Sequence, residues 1–306
     1  MLLRTTSGRW HPRSRANKPT TESQGGSSLR ISWGGWRSGL ASTAGAGGDS
    51  RLGMADMRAD HQLERLRSLH LYSFSDVVYG AVLGANGLDD DEIFADYLDN
   101  PVKALTPHKD TLLHEFIQSA LYQNYAYFLD KAPDLEVSGL KSLLEEAEME
   151  CPKWMTSEKI ERHLNQADRL LSRAIEIMAP SVFYLLFSDR QFLGEFQRRI
   201  ATFVSSMKHR DYPNLLTRDG VAKRLEYIPT WLKAGIFYRD RGRCQLCFRD
   251  LSGLGRPVRD IHLDHIIPLA MSGSNDPTNF QLSCQGCNLS KGRRAMNQSP
   301  RFSPYW

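Results

Sequence analysis

The chain has 306 residues, 41% of them apolar and 24% charged, a balance that excludes a disordered or collagen-like protein as a whole and leaves room for about two domains. Its net charge of +4 conceals a segregation, +6 over residues 1–53, −8 over 54–231 and +6 over 232–306, so only part of the molecule is suited to face a polyanion. No run approaches the roughly 18 uncharged apolar residues of a membrane span; the most apolar, Ala179 to Phe187, is closed by Asp189 and Arg190, and a soluble chain with no membrane partner is expected.

Residues 1–53 are dominated by Gly, Ser, Thr and Arg, as in Gly25-Gly26-Ser27-Ser28 and Gly45-Ala46-Gly47-Gly48. Such a composition buries too little apolar surface to offset the entropy of ordering, so 1–58 is read as a disordered basic segment. Three origins fit it: a nucleic-acid-binding arm, an Arg-rich and acid-poor organellar transit peptide, or translated sequence upstream of a start at Met54 or Met57. The last is preferred because periodic sequence begins immediately afterwards.

From 59 to 222 the pattern predicts an acidic, all-helical domain. Leu112, Leu113, Phe116, Ile117, Ala120, Leu121, Tyr125, Phe128 and Leu129 recur every three or four residues and form one broad apolar stripe. A second stripe follows Ser157, an expected N-cap with Glu158 in the first turn, through Ile160, Leu164, Ala167, Leu171, Ala174 and Met178. A third helix is expected over Asp189 to Met207 after a break at Pro180, with shorter helices over Ser75 to Leu88 and Asp91 to Leu98 divided by Gly87 and Pro101. The spacing of Tyr122, Tyr125, Tyr127 and Phe128 favours core packing over base stacking. His61, His70, His108, His114 and His163 lack the paired spacing of a metal site and read as ordinary histidines; Cys151 reads as a structural or surface thiol.

The C-terminal domain, 223–306, carries the chemistry. A short helix from Pro229 to Asp240 leads into Cys244-Gln245-Leu246-Cys247, and a second pair, Cys284 and Cys287, is separated from it by 36 residues. Two CxxC knuckles supply four thiolates to one tetrahedral zinc with no position left open for water, so this zinc is structural, and the compartment is reducing, as in the cytoplasm. Between the knuckles, Ile261 to Pro268 reads as a short strand, Ser272 to Pro277 as a turn, and Asn279-Phe280-Gln281-Leu282 as a second strand before a helix opening at Cys287.

Asp264, His265, Asn279, Asn288 and Lys291 remain to be explained. Phosphodiester hydrolysis needs a hard divalent cation on oxygen ligands, which Asp264 and Asn288 offer, and a base near neutrality, which His265 offers. Asn279 can hold the His265 ring in one tautomer through its amide or backbone, and Asn288 and Lys291, three apart, share a helix face. Strand alternation, however, sets Asp264 and His265 on opposite faces. His262, two residues before Asp264, is a further candidate ligand. Arg239, Arg241, Arg243, Arg256, Arg259, Arg293 and Arg294 are candidates for phosphate contacts, with Lys291 beside them.

In order, Arg239-Asp240, Cys244-x-x-Cys247, Asp264-His265-Ile266-x-Pro268, Asn279-x-Gln281-Leu282 and Cys284-x-x-Cys287-Asn288-x-x-Lys291 resemble the HNH endonuclease family in its zinc-containing form. The resemblance covers Tyr227 to Arg294. It implies a ββα-metal fold in an α+β, multidomain chain, with His265 as general base, Asn279 orienting it, and Asp264 with Asn288 binding catalytic Mg²⁺ or Mn²⁺. Asn288 stands where the family name has His, a change toward hard oxygen-seeking ions, and Ser274 stands where a second glycine is usual. The reading is an endonuclease acting on DNA, with RNA equally open to the chemistry. The alternative is a zinc-stabilised nucleic-acid-binding module without turnover. The acidic helical domain is a candidate dock for a protein partner in a bacterial defence or restriction-like system.

Overall fold

Apolar side chains spaced three and four apart become five helices in the N-terminal part of the computed structural model, which describes residues 70–84, 101–156, 158–253 and 261–295. The expectations for 1–58, for the helix over Asp91 to Leu98, for the Ser157 cap and for Arg256 and Arg259 lie outside the described residues. The helices are α1 (Leu71–Leu83), α2 (Leu112–Lys131), α3 (Pro133–Glu146), α4 (Leu164–Ser188) and α5 (Arg190–Ser206). Helix α2 lies mainly along α4, and α1 packs on α2, α4 and α5.

Helix α1 stops at Gly84, not at Gly87, because Gly84 takes a left-handed φ of 70° and returns its N–H to the Gly80 carbonyl, a conformation that glycine adopts without steric cost. Helix α4 runs straight through Pro180 and ends only at Asp189. The proline forfeits one backbone hydrogen bond, and the burial of Ala174, Ile175, Met178, Ala179 and Val182 on either side outweighs that loss. Continuity makes Ile160–Ser188 long and apolar enough to cross a membrane by length and composition, where no such run was expected; 44% of its most apolar window is buried. Of the four α2 aromatics, Tyr122 donates to Asp168 Oδ1 at 2.6 Å and Tyr125 meets Phe74 edge-on, but Tyr127 and Phe128 are 60% and 44% exposed, on the side of the helix away from the buried Leu129.

Helix α2 begins with a reciprocal cap in which His114 stands where glutamate or glutamine is usual. The Thr111 backbone N–H donates to His114 Nδ1 at 3.1 Å, and the ring stacks on Phe183 with centroids 3.7 Å apart. Burial pushes the His114 pKa down to about 4. Asp189 caps α5 by accepting from the Phe192 N–H at 3.0 Å.

After α5 the expected helical pattern gives way to an antiparallel hairpin, β1 (Leu216–Arg218) and β2 (Val221–Ala222). Gly220 turns it with φ +66°, and a Cβ there would lie 2.9 Å from the Ser205 carbonyl oxygen. The C-terminal part then supplies α6 (Thr230–Arg239), β3 (Ile261–His265), β4 (Phe280–Cys284) and α7 (Gln285–Lys291). Strands β3 and β4 pair antiparallel with Asp264 opposite Gln281 and His265 opposite Phe280. Leu232, Ile236, Leu251, Phe280 and Leu282 form a small core beneath them.

The architecture is thus α+β, a helical N-terminal region followed by a small unit of strands and a helix. Across the expected 222/223 boundary the two interlock. Ile266 and Ile267, just past β3, are buried in the helical core, and Ser274, Asn275, Asp276, Thr278 and Asn279 are all completely enclosed. A polar turn that sequence would place in water is an anchor, because Ser274, Asn275, Asp276 and Thr278 find partners in the helical region while Asn279 finds its own within the turn.

Candidate functional site

Two tight turns bring the four thiols together. The first follows α6, where Cys244 N–H donates to the Arg249 carbonyl at 2.9 Å and Phe248 N–H returns to the Cys244 carbonyl at 2.8 Å. The Gln245 N–H then ties this turn to Leu282 of β4 at 2.9 Å. The second knuckle is the β4–α7 junction, with Cys284 as the N-cap of α7. The Cys287 backbone amide holds the Cys284 thiol low, at about 7, whereas burial raises Cys247 and Cys287. All four sulfurs lie within 4.8 Å of one another, and Cys247 and Cys284 are 3.9 Å apart. Tetrahedral zinc with bonds of about 2.3 Å requires sulfurs roughly 3.8 Å apart, so the cluster fits a structural zinc.

Helix α7 crosses β3 and makes two rungs with it. At one, Asn288 Nδ2 lies 3.1 Å from His262 Nδ1. At the other, Lys291 Nζ lies 3.1 Å from Asp264 Oδ1 and 2.9 Å from Oδ2 and donates to the His265 carbonyl at 2.6 Å. Asp264 Oδ2 also accepts from Gln281 Nε2 at 2.8 Å. Lys291, expected at the nucleic-acid surface, is instead wholly enclosed, because a lysine so close to a buried carboxylate neutralises it better than it serves a solvated phosphate. Two oxygen positions remain for a hard cation. A carboxylate offers about four acceptor sites, and the three contacts to Asp264 leave one on Oδ1. An Asn288 that donates to His262 keeps Oδ1 without a partner among the described residues.

His265 belongs to the other face of β3. Its ring rests on Phe280 with centroids 4.4 Å apart, and Nε2 lies 3.2 Å from Asn275 Oδ1. The Asn275 amide nitrogen donates to the carbonyls of Leu105 at 3.0 Å and Lys223 at 2.8 Å, so its oxygen must face the imidazole. An oxygen acceptor there places the ring proton on Nε2 and leaves Nδ1 as the basic nitrogen. Burial above all pushes the His265 pKa down to about 4, with Lys291 and Arg224 adding to the fall and Asn275 and Asp264 opposing it. The imidazole is neutral at pH 7.

Asn279 does not hold the ring, contrary to expectation. Its Oδ1 accepts from the Ile267 N–H at 2.8 Å and its Nδ2 donates to the carbonyls of Ile267 at 3.0 Å and Ser274 at 2.8 Å, while its carbonyl accepts from Ile266. It clamps the backbone just beyond His265 to the far end of the turn. Asn275 is the residue that sequence reasoning missed, because in Ser272 to Pro277 it looks like ordinary turn chemistry. Ser274 is explained in the same way: its hydroxyl donates to Gln197 Oε1 at 2.8 Å, a bond that glycine cannot make.

The basic residues divide. Arg293 and Arg294 are exposed on the turn after α7, and Arg241 is exposed beyond α6. Arg243 donates to the Phe248 carbonyl at 3.3 Å and is half-buried. Arg239 is withdrawn from any phosphate: it pairs with Asp240 at 2.8 Å, donates to the Phe280 carbonyl and lies over Phe187.

A model of the HNH endonuclease family matches residues 244–294, the segment that holds both knuckles, the β3–β4 hairpin and α7. No curated protein matches the chain, and no solved structure does. The matched domain implies a nuclease or nucleic-acid-binding role.

Proposed function

We propose that the protein is a metal-dependent endonuclease that hydrolyses DNA phosphodiester bonds by attack of water. The observation that carries this reading is His265, whose proton is confined to Nε2 by Asn275, leaving a neutral Nδ1 to act as base. Nδ1 takes a proton from the attacking water, the new oxygen–phosphorus bond forms, the bond to the 3′ oxygen breaks, and that oxygen is protonated from solvent. Asp264 and Asn288 would hold a Mg²⁺ or Mn²⁺ ion, which when bound neutralises charge on the phosphate and on the leaving oxygen. Exposed Arg293 and Arg294, with Arg243, contact the backbone, and the zinc holds α6, β4 and α7 together.

The test is plasmid nicking with Mg²⁺, Mn²⁺, Ni²⁺ or EDTA, comparing wild type with His265→Ala at equal zinc content. Metal-dependent cutting that falls at least about a hundredfold in the variant supports the reading. The enclosure of Lys291 on Asp264 favours a second reading, a zinc-stabilised module that binds nucleic acid without turnover. Zinc-loaded wild type that binds plasmid and never cuts it, with RNA tested alongside, would establish that alternative. A cytoplasmic setting and a defence or restriction-like role belong to the same proposal, supported by four cysteines whose thiols cluster as a metal set and by the acidic helical region as a dock for a protein partner; co-purification of one stable partner tests the dock.

A further inference from the structure

Arg190 opens α5, in the helical region and far outside the segment matched to the family. A guanidinium is poorly placed at a helix N-terminus, where the dipole is positive, and burial lowers its pKa to about 10. Its partners offset this cost. Nη1 lies 3.4 Å from Asp240 Oδ1, and Nη2 donates to Gln281 Oε1. Asp240 is itself fixed, since it also receives Arg239 Nε at 2.8 Å and the Leu282 N–H at 2.6 Å. Gln281 stands directly opposite Asp264 in the hairpin and donates its Nε2 to Asp264 Oδ2 at 2.8 Å.

An amide has one accepting and one donating end. Arginine has only donors, so Arg190 captures the oxygen of Gln281 and turns the nitrogen toward Asp264. With Arg190 absent, the Gln281 oxygen loses the donor that anchors it, and the amide, held at its nitrogen end alone, is free to swing away and give up its bond to Asp264 Oδ2. We infer that Arg190 is a positioning residue, through which the helical region orients the Asp264 carboxylate for the divalent cation. This rests on the metal-dependent reading of the site and deepens it.

The experiment uses the full chain with its zinc retained and reads Mn²⁺ binding directly, by the loss of the free-ion signal in electron paramagnetic resonance. Asp264→Ala defines which bound Mn²⁺ belongs to the site. Arg190→Met is expected to weaken that binding about tenfold, the size of effect that outer partners of metal ligands have, and Arg190→Lys, which keeps a donor, to recover most of it. Gln281→Met should match Arg190→Met, and the double variant should be no weaker than either single one. If Arg190→Met loses zinc or its cooperative melt, Gln281→Met carries the test. Wild-type affinity in a folded Arg190→Met, or in Gln281→Met, overturns the proposal. Mn²⁺ binding by wild type without any cutting overturns the nuclease reading alone, and absence of the Asp264-dependent Mn²⁺ overturns both.

Discussion

Two histidines show how burial and one acceptor set the chemistry of a residue. His265 and His114 are both pushed down to about pKa 4, in each case chiefly by burial, with the Asn275 acceptor opposing the fall at His265. Asn275→Ala strands two buried carbonyls and frees the His265 tautomer. It should cost about 2–4 kcal/mol in urea unfolding, and it should lower the nicking rate even at temperatures where the variant is fully folded. For His114 the sign follows from its lowered folded-state pKa. The stability it confers is complete above the unfolded value of about 6.5 and is lost as pH falls toward 4, an effect of roughly 3 kcal/mol. His114→Gln keeps an acceptor for the cap and cannot titrate in this range. Denaturation at pH 7.5 and pH 4.5 should therefore show a smaller loss in the variant than in wild type, and equal losses would remove His114 as the cause.

Elements here start and stop where side chains meet the backbone, and their glycines separate two kinds of position. Gly235, on the exposed face of α6, has nothing within 4 Å of an added Cβ; Gly235→Ala should raise stability by about 0.5–1 kcal/mol through the unfolded chain. Gly273 lies where the chain folds back after β3, and a Cβ there would fall 1.9 Å from the Ile267 carbonyl oxygen. Gly273→Ala must displace the backbone that Asn279 clamps, with a loss of more than about 3 kcal/mol and a fall in the thermal midpoint. The 3.6-residue period of α2, α4 and α5 and the two-residue period of β3 were legible in the sequence. The passage of α4 through Pro180 and the hairpin of β1 and β2 were not, since both depend on what packs against them.

For the molecule as a whole, the hairpin turn is the hinge between chemistry and scaffold. Asp276 Oδ2 accepts the Leu112 N–H at the start of α2, at 2.9 Å, Gln197 of α5 donates to the Thr278 hydroxyl at 2.6 Å, and the Asn275 N–H donates to the Ala104 carbonyl at 2.8 Å. A fragment of residues 223–306 leaves these buried groups without partners and exposes Ile266 and Ile267. It should bind zinc through its four cysteines yet leave the 261–284 hairpin unstructured, visible as poor amide dispersion in NMR spectra and rapid proteolysis there. A well-dispersed fragment would show that the zinc alone can organise the hairpin.

The amino-acid sequence alone determined the residue types at the site. Four cysteines in two knuckles define a zinc set, and Asp264, His265 and Asn288 offer the oxygen and nitrogen donors that the proposed phosphodiester chemistry would use, because ligand preference follows from atom type and spacing. Tertiary structure decided which of these residues meet. Lys291 turned inward onto Asp264, Asn279 became a backbone clamp, and Asn275, Gln281 and Arg190 emerged as the groups that orient His265 and Asp264. These pairings join positions up to 170 apart in the chain, and no local periodicity encodes which distant carbonyl will satisfy a buried amide.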